Sequence, residues 1–138
     1  MVDIKELRIG NIVECYSSLH KKNKPFEVNQ ILVDNIELID TDESFEILYD
    51  RLDGIPLTEE LLLKCGFTKE YYGFSCDIVE LSYGYFLHND GIDDDKLFLS
   101  THDAEYSISR VFIEYLHQLQ NICYALTGKE LNVELINL

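Results

Sequence analysis

The sequence predicts an α+β fold, and three observations carry that expectation. Four short segments in the first third alternate apolar and polar residues in the period of a strand. A nine-residue stretch from Thr58 to Gly66 carries helix signals at both ends. A stretch from Val111 to Leu126 repeats its apolar residues in the period of a helix. The expected architecture is a small antiparallel N-terminal sheet, with barrel-like closure left open. It continues into a short helix and a second antiparallel sheet, packed by one long amphipathic C-terminal helix and a closing strand.

Each element has its own residues. Ile9 to Tyr16 holds Ile12 and Val13. Phe26 to Val33 places Phe26, Val28, Ile31 and Val33 in imperfect alternation. Ile36 and Leu38 alternate with Glu37 and Asp40, and Phe45, Ile47 and Tyr49 repeat the pattern. Asp34-Asn35 and Asp40 to Ser44 carry turn residues between these runs. Thr58 is the expected N-cap of the helix, and Glu59 and Glu60 place negative charge on the positive end of its dipole. Gly66 supplies the left-handed residue that closes it, with Phe67 folding back towards Leu62.

Tyr71 to Ser100 reads as aromatic strands bridged by Asn89-Asp90-Gly91 and the aspartates Asp93, Asp94 and Asp95, which are too costly to bury and therefore exposed. In the last helix Val111, Phe112, Tyr115, Leu116, Leu119, Ile122, Cys123 and Leu126 form the apolar face. Glu114, His117, Gln118 and Asn121 form the polar one. Gly128 stops the helix, and Leu131, Val133 and Leu135 alternate as a final strand. With 138 residues, 46% of them hydrophobic, residues 1–138 make one domain with a β-rich sub-lobe 1–53 and an α+β sub-lobe 54–138.

The formal net charge of -15 excludes some partners. Residues 27–62 carry eleven acids against Arg51 alone, and residues 70–109 carry nine against Lys96 alone. Such a field repels phosphate backbones and anionic lipid, so no direct nucleic-acid binding is expected beyond the local cluster Lys21, Lys22 and Lys24. The aromatic segment could stack bases only beside a cationic groove, which it lacks, so cross-strand packing is its expected use. A basic protein partner is the complementary expectation. No run reaches the roughly 18 apolar residues of a membrane span. The start MVDIKELRIG has no apolar signal segment, so a cytoplasmic location and four reduced cysteines are expected.

Three blocks in order, ELRIGNIVE (Glu6 to Glu14), GIPLTEELLLKCGF (Gly54 to Phe67) and YLHQLQNICYALTGKEL (Tyr115 to Leu131), cover 40 of the 138 residues. With these blocks the chain resembles a family of small uncharacterised proteins of Bacteroidetes-type bacteria and their phages or mobile elements. The resemblance implies an accessory or phage-related role and carries no catalytic residue across.

The candidate binding residues are Asp90, Asp93, Asp94 and Asp95 in the acidic connection and His117, Gln118, Gln120 and Asn121 in the HQLQN stretch. The amides there are adaptable donors and acceptors, suited to backbone groups of the same chain or of a partner. Glu114-x-x-His117 has the spacing of a di-iron ligand pair but lacks a second pair. Asp40-x-Asp42-x-Ser44 has Phe45 where a calcium loop needs glycine and Arg51 where it needs glutamate. No metal and no cofactor are therefore expected, a weak irregular cation site aside. No nucleophile elbow or phosphate-cradling glycine loop is present.

The reading is a non-enzymatic acidic interaction or accessory protein, related to phages or mobile elements. Its alternatives are a small hydrolase using His88 or His102 with neighbouring aspartates, and a DNA mimic whose carboxylates imitate phosphate rows.

Overall fold

A computed structural model describes residues 2–70, 73–75, 85–89, 97–101, 113–135 and 138, with side chains described outside 69–112. The chain divides into two units: Met1–Pro56 with Tyr115–Asn121 and Glu134–Leu138, and Leu57–Glu114 with Ile122–Val133.

The first unit is built on an antiparallel meander of four strands, β1 (Ile12–Ser17), β2 (Lys22–Ile31), β3 (Asn35–Ile39) and β4 (Ser44–Leu48), ordered β1-β2-β3-β4. The sheet is open, since β1 and β4 are its two edges and do not pair, which corrects the barrel-like closure. The imperfect alternation in the second strand has a structural cause: the β2–β3 register shifts between Val28 and Gln30. This bulge leaves Asn29 outside the ladder, and its amide donates to the Glu37 carboxylate instead.

One face of the sheet buries Val13, Cys15, Phe26, Val28, Ile36 and Leu38, joined by Val2 and Leu52 from outside the strands. Phe26 and Phe45 meet edge to face with centroids 5.1 Å apart. Residues 52–53 run beside β1, where Glu14 and Asp53 exchange two backbone hydrogen bonds of 2.8 and 2.9 Å. At the β3–β4 turn, Asp40 Oδ1 accepts from the N–H groups of Asp42 and Glu43, each at 2.8 Å, and its carboxylate pairs with Lys24. Burial works against the Asp40 carboxylate, yet Lys24 and the two N–H groups outweigh it and hold its pKa below the ordinary range. The first aspartate of the discounted calcium loop, Asp40, thus acts as a turn lock.

In the second unit, helix α1 (Glu59–Lys64) follows its sequence signals closely. Thr58 Oγ1 accepts from Leu61 N–H at 3.1 Å. At the other end Phe67 N–H donates to Leu62 C=O at 3.0 Å and Gly66 N–H to Leu63 C=O at 3.1 Å, the paired bonds of a Schellman motif. The φ of +91° at Gly66 is the left-handed conformation this motif needs and side chains disfavour. A second antiparallel sheet orders β5 (Thr68–Glu70), β6 (Gly73–Ser75), β7 (Tyr85–Asn89) and β8 (Leu97–Thr101) as β5-β6-β7-β8.

Helix α2 spans Leu116–Thr127. Residues 111 and 112 of the expected longer helix lie outside the described residues. The next residues are not helical. Tyr115 bridges Pro56, Leu57 N–H donates to Glu114 C=O, and Leu116 N–H donates to Ile55 C=O, so the chain is extended up to the cap. The expected closing strand is absent among the described residues: 129–134 pair with no strand, although Leu131 is buried. Alternation signals a strand only when a partner edge is within reach.

Among the described residues no helix is long and apolar enough to cross a membrane. Cys15, Cys65 and Cys123 are buried free thiols, and burial pushes the Cys15 thiol pKa up. Cys76 lies outside the described residues.

Candidate functional site

The first two turns of α2 meet the turn that precedes β1, and the HQLQN residues are what joins them. Gln120, 2% exposed, receives the N–H of Ile12 at 2.8 Å and donates to the carbonyl of Gly10 at 3.1 Å. Asn121 receives from Asn11 Nδ2 at 2.7 Å and Arg8 Nε at 3.2 Å, and donates to the carbonyl of Glu6 at 2.6 Å. Asn11, itself fully buried, accepts from the N–H of Arg8 at 2.8 Å. Gln118 turns back to accept the N–H of Tyr115 at 3.1 Å, half of a capping box at the start of α2. These amides complete the backbone of residues 6–12 and the helix cap.

His117 departs from the sequence expectation. The helical wheel puts it on the polar face, but it is 1% exposed. The reason is a partner from a distant segment: Nε2 lies 3.3 Å from Oε2 of Glu6, 111 residues earlier, and the ring stacks on Tyr115 at 5.8 Å and 12°. A carboxylate only accepts, so the geometry puts the proton on Nε2 and leaves Nδ1 a bare acceptor. Nδ1 is buried and has no hydrogen-bond partner among the described residues. Protonating it would bury an unpaired N–H. Burial accordingly lowers the His117 pKa, and Glu6 offsets only part of that shift.

A cavity of about 230 Å³ opens at this pair. Val2 and Pro56 give it an apolar side, Glu6 and Asp53 contribute carboxylates, and Tyr115 and His117 contribute rings. Gly54 completes the lining and is required there, because a Cβ would lie 2.7 Å from Cγ and Cδ1 of the Tyr115 ring. Among the described residues no lysine or arginine lines this cavity.

A second cavity of about 310 Å³ lies beside His20, Lys24 and Asp40. Lys22 also lines it, Lys24 pairs with Asp40, and His20 Nε2 lies 3.5 Å from Asp42 and 3.6 Å from Glu43. The buried Ser17 hydroxyl donates to the Glu43 carboxylate, at 2.8 and 3.0 Å, and accepts the backbone N–H of His20 at 3.1 Å; it donates to no imidazole nitrogen, so the trio has no activated nucleophile.

Asp90, Asp93, Asp94, Asp95 and His102 lie outside the described residues, as does the side chain of His88. Among the described residues no group of three or more His, Cys, Asp or Glu side chains is placed to hold a metal ion. The sequence reading missed Glu6, Asp53 and Tyr115 as companions of His117. The only available signal was that Glu6 and His117 fall in two of the three recognised blocks. No family model, curated protein or solved structure matches the chain.

Proposed function

We propose that this protein is a non-enzymatic, acidic interaction protein whose contact surface for a basic protein partner includes the outer face of the first sheet. The observation that carries the reading is the register of that sheet. Phe26, Val28, Ile36 and Leu38 face the core, so the residues alternating with them face outward. Glu37 stands directly opposite Glu46 on the neighbouring strand, and Glu27 lies on the same outward face of β2. Glu27 and Glu37 are half-buried and Glu46 is exposed.

Like charges directly opposed across strands destabilise a sheet, by about 0.2–1 kcal/mol per pair. Random solvation does not require that arrangement, whereas a cationic partner is attracted by it and turns the repulsion into binding energy. An accessory role in a phage or mobile element is compatible with such a surface.

The test is capture of partners from a host lysate by the full chain and by two charge-matched variants. One carries Glu27, Glu37 and Glu46→Gln; the other carries Glu43, Glu59 and Glu60→Gln. The reading expects basic proteins to be retained by the parent and the second variant and lost from the first. Equal loss from both would reduce the acidity to a general solubility charge.

A further inference from the structure

We propose that β4 receives an extended segment of the basic partner as a fifth strand of the first sheet, with a lysine or arginine set opposite Glu46, an inference that rests on the interaction reading above. The two edges of this sheet differ. On the β1 side, Glu14 and Asp53 already exchange backbone hydrogen bonds. On the β4 side, Ser44, Glu46 and Leu48 are exposed, and among the described residues β4 pairs with β3 alone. Its register against β3 is continuous, and its sequence SFEIL holds no proline, so it lacks two of the devices that blunt an edge.

The backbone bond from Asp40 N–H to Glu43 C=O, at 3.0 Å, sets the direction of the groups along β4. Bonded and non-bonded pairs alternate in an antiparallel ladder, so Leu38–Phe45 and Ile36–Ile47 are the bonded pairs. The N–H and C=O groups of Ser44, Glu46 and Leu48 therefore point away from β3, where an added strand would bond them. Such a strand sets one residue directly opposite Glu46, on the outward face that Glu46 shares with Glu37. A cation there offsets the repulsion of these two carboxylates, and an acid would extend it. On the core face, Phe45 and Ile47 are part-exposed while their β3 neighbours Leu38 and Ile36 are fully buried, so apolar residues suit the two flanking positions. The fitting segment thus reads apolar, cationic, apolar. A second copy of β4 fits badly, because the register that uses the whole strand sets Glu46 against its own counterpart.

The experiment adds the peptide acetyl-Thr-Val-Lys-Val-Thr-amide to the full chain and follows backbone amides by 1H–15N correlation and hydrogen exchange. The expected result is a saturable shift and slowed exchange at the amides of Ser44, Glu46 and Leu48, with those of Phe45 and Ile47 little changed. The same peptide methylated on the lysine backbone nitrogen should bind about tenfold more weakly, for want of one strand bond. Its counterpart with glutamate in place of lysine should give no response. Glu46→Gln should weaken the lysine peptide by up to about fivefold, the scale of one exposed cross-strand pair. Glu46→Lys should reverse the preference towards the glutamate peptide.

No response to the lysine peptide, an equal response to its methylated form, or a response without alternation along residues 44–48 overturns the assignment. Protection of the same three amides on raising the protein concentration without peptide gives the edge to a second copy and also overturns it. If the Glu46 variants do not fold, the three peptides on the unaltered chain still decide. Partner capture by the parent chain without a peptide response refutes the edge assignment alone. A peptide response without partner capture refutes the interaction reading alone.

Discussion

At the scale of single residues, His117 connects burial to a measurable pH dependence. Its ordinary pKa of 6.5 is lowered by burial, with Glu6 pulling the other way. Between the lowered value and 6.5 the unfolded chain binds a proton that the folded chain does not, so stability rises with pH across that interval. The contribution is complete above 6.5 and is lost as the pH falls below it. Urea midpoints taken at successive pH values from 7.5 to 5 should therefore decline for the parent chain. They should decline less for His117→Gln, which has no group to titrate. Parallel declines would mean that His117 takes up its proton alike in the folded and unfolded chains. The partner that explains His117 was illegible in the sequence, because helical periodicity reports only which residues share a face. It cannot report that residue 6 waits at that face. The same holds for Lys24 with Asp40 and Ser17 with Glu43, pairs set by the sheet's turns.

At the scale of elements, local signals were legible where an element satisfies its own ends. The caps of α1 were readable from Thr58 and from Gly66-Phe67, since every bond involved spans five residues or fewer. The four strands of the first sheet were readable from alternation, and its imperfection between Val28 and Ile31 marked a real bulge. The extended run before α2 and the unpaired 131–134 segment were not readable, because Tyr115 is held by a bridge to Pro56 and Leu131 to Leu135 finds no strand edge. Gln120 shows what such distant bonds are worth. Its side chain satisfies the N–H of Ile12, at the start of β1, and the carbonyl of Gly10. Gln120→Ala would leave both groups unpaired in a buried place, at a cost of about 2–3 kcal/mol. The expected observation is a lower urea midpoint with an unchanged slope, against little change for Glu60→Ala on the exposed side of α1. A Gln120→Ala chain as stable as the parent would mean that water replaces the amide.

At the scale of the whole molecule, the net charge of -15 sets a conflict between stability and the proposed binding. Glu37 and Glu46 face each other across β3 and β4, and the first unit carries most of the acids of residues 27–62 around them. Glu46→Lys replaces that repulsion with an opposite-charge pair and relieves the surrounding field, so it should stabilise the fold by about 0.2–1 kcal/mol. The gain should shrink as salt is raised from low to physiological strength, since exposed charges beyond a Debye length of about 8 Å are screened there. Thermal melts of the parent and Glu46→Lys at two salt concentrations measure both effects, and the parent's melting temperature should rise with salt because its self-repulsion is screened. The same substitution removes a carboxylate from the proposed contact face, so it should weaken capture of the basic partner while the fold improves. A variant that gains stability and binds undiminished would separate the carboxylates from function. A variant that gains stability and loses the partner is the outcome expected if the repulsion is retained for binding.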